Sequence, residues 1–348
     1  DLITVEGDTT TFAVLRKAGV RRCDLFIAVN HDENMNILSA IMAKQLGAKK
    51  SIARIDHNEY LEPNNKEMFI DMGIDYLFHP EQIAAMEVTN LLGHTSTTDY
   101  VDFSGGLLAL VVIKLEPTSP LLGRKLMELA DDGSITEFRA VAITRGSQTI
   151  IPRGQDEFFE GDVVYIIARK DVAHSVTERS GQKSVEVKNL MILGGSPIGE
   201  MLATQLSKQM DSVKLIEMNK EKCQALSEGL PSNVIVVNGD GRNSDLVLEE
   251  SIRDYQAFVA VTNNSETNIL ACLAAKRAGV CRAVSEIENI DYISMAEKMD
   301  IGSVINKKKL AASTIFQMML KTDVSSVKCL TFIEAVVAEF PVHENDLI

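Results

Sequence analysis

The sequence predicts an α/β protein of two tandem, doubly wound parallel sheets, each followed by a small α+β domain. Three observations predict it: short apolar runs alternating with helical stripes, a glycine-rich turn joining one such run to one such stripe, and a long internal repeat. Displacing the chain by 232 residues lays Leu2–Asp8 (LITVEGD) on Val234–Asp240 (VIVVNGD), and Asp24–Leu38 on Gln256–Leu270. The match continues through Ala43-Lys44, Gly47 and Tyr60 onto Ala275-Lys276, Gly279 and Tyr292. Over residues 1–60, 16 positions are identical without a gap, against roughly four from composition alone, so chance is a poor explanation. A weaker likeness joins Leu110–Pro117 to Ala335–Val342, each after one of the matched segments. The order is therefore A, B, A, and the opening of a second B, with boundaries expected at 1–94, 97–180, 188–323 and 324–348.

The first A unit enters at what corresponds to a third strand, near Leu2–Asp8. By the same displacement the first strand of the second unit, near Asn189, has its counterpart about 43 residues ahead of Asp1. That strand is central in a sheet of order 3-2-1-4-5-6, so the chain is expected to be a fragment at its start and, stopping at Ile348 inside a B unit, at its end. A degenerate first unit is the alternative. The B unit reads as a strand at Leu107–Leu115, a helix at Leu121–Leu129, and strands near Phe138–Thr144, Gln148–Pro152 and Val163–Ala168. Gly154, Gly161 and Asp162 mark its turns. Lys170–Val187 is polar and poorly periodic, and reads as a linker.

The second A unit is complete. Asn189–Leu193 is an apolar strand running into Gly194-Gly195-Ser196-Pro197-Ile198-Gly199, after which Ile198, Leu202 and Leu206 share one helical stripe. Val213–Ile216 is the next strand, with Glu217 at its end. Val234–Val237 leads to Gly239-Asp240, and Phe258–Val261 to Thr262-Asn263. A glycine turn that follows a strand and opens a helix presents free N–H groups and the positive helix end to a pyrophosphate. An acid 18 residues past Gly199 suits the adenosine ribose hydroxyls and repels the extra phosphate of NADP. Ser196 stands where the central glycine of the pattern would be, which strains a pyrophosphate site without excluding it. The competing reading is a glycine-rich turn that binds nothing, with Asp240 a helix cap and Thr262 and Asn263 ordinary loop residues.

Composition narrows the partners. Lys and Arg number 35 against 49 Asp and Glu, a net charge of −14, which argues against nucleic acid and against unaided docking to anionic lipid. The longest apolar run, Leu107–Ile113, is far below the ~20 residues of a membrane span. The five cysteines (Cys23, Cys223, Cys272, Cys281, Cys329) form no CxxC pair and no zinc spacing, as in a reduced, intracellular protein.

On ILGGSPIG (Ile192–Gly199), IEMN (Ile216–Asn219), NGDG (Asn238–Gly241), AVTNNSETNIL (Ala260–Leu270) and AVVAEFPV (Ala335–Val342), the chain resembles the TrkA-type family of peripheral Trk potassium-uptake proteins. PTSPLLGRKLMEL (Pro117–Leu129), AVAITRG (Ala140–Gly146), IIPRG (Ile150–Gly154) and EGDVVYIIA (Glu160–Ala168) carry the likeness through the B unit. The resemblance implies tandem Rossmann-like domains of the "regulator of potassium conductance" kind, each with a small ligand-sensing domain. It implies a cytoplasmic subunit, peripheral on the inner face of the plasma membrane, that binds NAD(H), and also ATP or ADP. Its partner would be a membrane potassium transporter subunit of the TrkH/TrkG type, and it would be a homodimer or homotetramer. Carried over by position, nucleotide contacts fall on Gly194, Gly195, Ser196, Pro197, Ile198, Gly199, Glu217, Asp240, Thr262 and Asn263, and in the first unit on Asp8, Asn30 and Arg54. Where the first unit has Arg54, the second has Glu286, which removes a phosphate-facing cation. Leu310–Leu320, apolar at near-helical spacing through Leu310, Ile315, Met318 and Met319, is a candidate surface between such units.

The rival class is an NAD-dependent oxidoreductase, which needs a proton donor or acceptor beside the nicotinamide. No Tyr-x-x-x-Lys occurs, and the B unit's one histidine, His174, stands at its end. The sequence therefore points to a binding subunit and not an enzyme, with a scaffold that binds no nucleotide as the third reading.

Overall fold

The computed structural model describes residues 3–94, 97–131, 138–146, 148–181, 185–242, 250–319, 326–329, 336–340 and 342. The chain divides into two compact units, residues 1–83 with 314–320, and residues 84–313 with 321–348.

In the first unit α1 (Phe12–Lys17) precedes β1 (Leu25–Ala28), α2 (Glu33–Leu46), β2 (Lys50–Arg54), α3 (Pro63–Asp71) and β3 (Tyr76–Phe78). The strands form a parallel sheet in the order β1-β2-β3. Asp32 starts α2 by accepting the N–H of Asn34, and Gly47 ends it in the left-handed region, the common way to cap each end. Ala28, Ala40, Ala53, Ile55 and Ile74 make the core. The third strand expected near Leu2–Asp8 is absent from the described residues 3–8. In the second unit the equivalent strand pairs only with the strand after the glycine turn.

α4 (Pro80–Gly93) leaves the first unit and enters the second. There a five-stranded antiparallel sheet has the order β4-β5-β8-β6-β7. Its strands are β4 (Asp99–Phe103), β5 (Leu108–Lys114), β6 (Phe138–Arg145), β7 (Gln148–Ile150) and β8 (Val163–Arg169). Two features depart from expectation. β4 was not foreseen because its two acids, Asp99 and Asp102, mask the apolar alternation. The helix α5 starts only at Leu126 and runs to Asp131, because Pro120 and Gly123, the latter at φ +69°, turn the chain first. The presumed linker is corrected too. Lys170–Arg179 is a helix, α6, whose Ala173 and Val176 are buried against the sheet. Its polar face hid a narrow apolar stripe.

The second α/β domain follows. It comprises β9 (Asn189–Leu193), α7 (Pro197–Leu206), β10 (Ser212–Glu217), α8 (Lys220–Gly229), β11 (Val234–Asn238), β12 (Ala257–Ala260), α9 (Ser265–Arg277), β13 (Arg282–Glu286), α10 (Ile290–Lys298), β14 (Ser303–Ile305) and α11 (Lys307–Met319). Its six parallel strands lie in the order β11-β10-β9-β12-β13-β14, the 3-2-1-4-5-6 order expected. Strand side chains alternate between two cores. Leu190 and Ile192 meet α7 and residues 84–92 of α4 on one face, while Met191 and Leu193 meet α9 and α10 on the other. Burial on both faces explains the near-continuous apolar strands.

β15 (Ser326–Cys329) and β16 (Val336–Glu339) pair antiparallel, and Val337 packs on Phe103, Val112 and Tyr165 of the five-stranded sheet. Within α11 only Ser313 is buried, and Phe316 and Met319 are exposed. Leu320 lies outside the described residues.

Candidate functional site

The carboxyl ends of β9, β10 and β12 open into a cleft of ≈ 500 Å³, at the point where strand order reverses and such sheets take ligands. Its floor is the glycine turn. Gly194 holds φ +107°, and a Cβ there would lie 2.9 Å from the Thr262 nitrogen. A Cβ on Gly199 would lie 2.1 Å from the Gly194 carbonyl oxygen. The two glycines thus let α7 press on the turn and the turn press on the exit of β12. Ser196 is the N-cap of α7, its Oγ accepting the Gly199 N–H at 3.3 Å, and Pro197 takes the first helical position, where a missing N–H costs nothing. Ile198 is buried in the core. The serine therefore has a job of its own in starting the helix, and its hydroxyl proton remains available as a donor.

Glu217 closes one wall at the end of β10. Its Oε2 accepts the Gly195 N–H at 2.9 Å and its Oε1 the Asn219 N–H at 2.7 Å. A carboxylate offers about four acceptor positions, so two remain for ribose hydroxyls. Nearby Cys223 has its thiol pushed up first by burial and then by the Glu217 charge.

Asp240 and Arg242 form the adjoining rim. The Asp240 carboxylate accepts the Arg242 backbone N–H at 3.0 Å and the guanidinium at 2.7 Å, and these bonds hold its pKa below the ordinary range. Arg242 and Lys222 both line the cleft. They are the cations nearest this cleft, Arg242 already paired with Asp240, and the sequence reading sought a cation only at the position of Arg54. The signal was present: Arg242 directly follows NGDG.

Opposite lie Thr262 and Asn263. The Thr262 N–H and hydroxyl both bond the side-chain oxygen of Asn268, at 3.0 and 2.6 Å, whereas Asn263 is exposed. Gly194, Ser196, Glu217, Asp240, Thr262 and Asn263 thus come together around one cleft. Gly195, Pro197, Ile198 and Gly199 support it from behind.

The first unit differs. Asp8 is exposed and accepts the N–H and hydroxyl of Thr10, at 2.8 and 2.6 Å. Arg54 donates to the Asn30 carbonyl at 3.3 Å and to Asp56 at 2.7 Å. Glu33, in the first turn of α2, is buried and bonds the N–H of Asp56 at 2.8 Å and the His57 ring. Burial opposes its ionisation, yet these donors outweigh it and lower its pKa. The structure brings Asn30 and Arg54 together, and no hydrogen bond among the described residues joins Asp8 to them. Among the described residues no cluster of three His, Cys, Asp or Glu is placed to hold a metal ion, and no helix is long and apolar enough to cross a membrane.

The TrkA-N domain family model matches residues 1–80 and 190–307, and the TrkA-C domain model residues 110–181. The Trk system potassium uptake protein TrkA of Halomonas elongata is 31% identical over 333 residues, covering 95% of this chain and 72% of that protein. The TrkA homolog of Archaeoglobus fulgidus is 30% identical over 320 residues, covering 92% and 72%. Among solved structures, the GsuK RCK domain superposes with a TM-score of 0.62 at 18% identity, over 92% of this chain and 69% of that one. The GsuK channel bound to NAD gives 0.60 at 18%, over 90% and 54%. At that identity the likeness speaks to the fold alone.

Proposed function

This chain belongs to the TrkA family of Trk system potassium uptake proteins, and from that premise we propose that it is an NAD(H)-binding regulatory subunit that gates a Trk-type membrane potassium transporter. One observation carries the reading. Gly194 and Gly199, where a Cβ would clash, meet Glu217, Lys222 and the Asp240–Arg242 pair around one cleft at the switch point of a parallel sheet. The Glu217 wall takes the adenosine ribose, the start of α7 takes the pyrophosphate, and Thr262 and Asn263 face the second nucleoside. ATP and ADP share the adenosine and phosphate part of that chemistry and compete for the same wall, with Arg242 and Lys222 facing the phosphates. In this reading the nucleotide is an effector, the chain is not an enzyme, and it sits on the cytoplasmic face of the membrane as a homodimer or homotetramer. The division at 1–94, 97–180, 188–323 and 324–348 belongs to the same proposal. Gating requires each nucleotide to bind the two states of the assembly with different affinity.

The test is potassium flux into vesicles holding the transporter, with and without this subunit and with NADH or ATP added. The reading expects flux that depends on the subunit and changes between the nucleotides. Flux indifferent to both would leave a dinucleotide binder with no gating role.

A further inference from the structure

Asn268 stands in the first turn of α9 and is 1% exposed. Its Oδ1 accepts the Thr262 N–H at 3.0 Å and the Thr262 hydroxyl at 2.6 Å, and its Nδ2 donates to the carbonyls of Thr262 and Glu286, each at 2.9 Å. Both lone pairs and both protons of the amide are used. One side chain therefore ties the carboxyl end of β12 to the carboxyl end of β13.

The first unit repeats the device. Asn36, also 1% exposed, stands in the first turn of α2. Its Oδ1 accepts the Asn30 N–H at 2.6 Å, and its Nδ2 donates to the carbonyls of Asn30 and Arg54 at 2.9 and 3.0 Å. The residues being held have changed between the units, from Asn30 to Thr262 and from Arg54 to Glu286. The backbone contacts that hold them have not. A buried amide is tolerated only when its bonding is complete, and an aliphatic side chain would fill the same space without that demand. A buried amide with both protons donated to strand-end carbonyls in both units is explained by the geometry it imposes there.

That geometry belongs to one half of the cleft. A dinucleotide lies across the switch point, one nucleoside on each half of the sheet. Glu217 and the start of α7 serve the adenosine and pyrophosphate, while the loop after β12 and the end of β13 serve the second nucleoside. We infer that Asn268 is a positioning residue for the second nucleoside: it touches no ligand, but fixes the Thr262–Asn264 loop and the end of β13 against which that nucleoside rests. The inference rests on the dinucleotide reading above.

The test compares two ligands on the 348-residue chain, NADH, which spans both halves, and AMP, which reaches only the Glu217 half. Asn268→Leu keeps the volume and removes the bonds; Asn268→Asp keeps the acceptor and turns both donations into repulsions. Thermal melts identify which variants fold, and two variants guard against the loss of one. The expected result is a Kd for NADH raised about tenfold, the scale of one hydrogen bond, with the Kd for AMP changed less than about twofold. Equal loss for both ligands would mean a merely structural amide, and unchanged NADH binding would mean no role in the site; either overturns the inference while leaving the dinucleotide reading intact. A wild-type chain that binds neither ligand would overturn both together.

Discussion

The two α/β units are copies of one plan that carry different charges at equivalent strand ends. Both hold the ends of two neighbouring strands with a buried asparagine, Asn36 in one and Asn268 in the other. Around that shared frame the charges are inverted. The first unit presents Arg54, paired with Asp56, at the end of its second described strand. The second presents Glu286, 4% exposed, with Lys307 at 3.6 Å, and Lys307 bonds Glu288 at 2.6 Å. The bond to Lys307 lowers the Glu288 pKa even though burial opposes it. The lesson is that hydrogen bonding to the backbone persists where side-chain charge drifts, because the backbone geometry is common to both copies.

The largest effect that would sharpen the contrast is steric. Gly199→Val would drive a branched Cβ into the Gly194 carbonyl and should destabilise the second unit by about 3 kcal/mol or more. Denaturation followed by separate probes should show the first unit's transition unmoved. A single shared shift would mean the units do not unfold independently. Glu217→Ala comes next, and should weaken NADH binding by about 1.5–3 kcal/mol, the worth of hydrogen bonds to a charged group. Unchanged affinity in a calorimetric titration would remove Glu217 from the site.

Acid should separate the units in the opposite sense. His79 of the first unit is buried, and burial lowers its pKa below the ordinary histidine value. The unfolded chain therefore takes up that proton at higher pH than the folded one, and stability present above the ordinary histidine pKa is lost as the pH falls below it. The second α/β domain carries no histidine, since none lies between His174 and His343. The first unit's unfolding midpoint should fall between pH 7 and 5, and His79→Asn should flatten that dependence. An acid response of equal slope in the variant would assign it to other groups.

The smallest effect is at Ser196. As an N-cap it should cost about 1 kcal/mol of stability when changed to Ala and only a few tenths when changed to Gly. Ser196→Gly should leave NADH affinity within a few tenths of a kcal/mol. A loss near 1 kcal/mol in binding would show instead that the hydroxyl donates to a phosphate.

Much of this was legible in the sequence. The sheet order, the glycine turn and Glu217 follow from a strand, a turn, a stripe and an acid at fixed spacing, all local patterns. What escaped is what depends on faces and partners. The helix Lys170–Arg179 looked like a linker because a two-residue apolar stripe is lost among charges, and β4 hid behind its own acids. Ser196 read as a flawed glycine because its capping bond to Gly199 is visible only once the helix start is placed. Asn268 lay in plain view within the matched NIL segment. A single conserved-looking letter cannot announce four hydrogen bonds to two strands.

The central claim is that the second unit holds a complete dinucleotide site, and that the described residues of the first unit repeat its asparagine clamp. The direct measurement is the stoichiometry of NADH binding to the 348-residue chain by calorimetry. The account predicts saturable binding of one NADH per chain, abolished or sharply weakened by Glu217→Ala. No saturable binding, or two equivalents per chain, would contradict it.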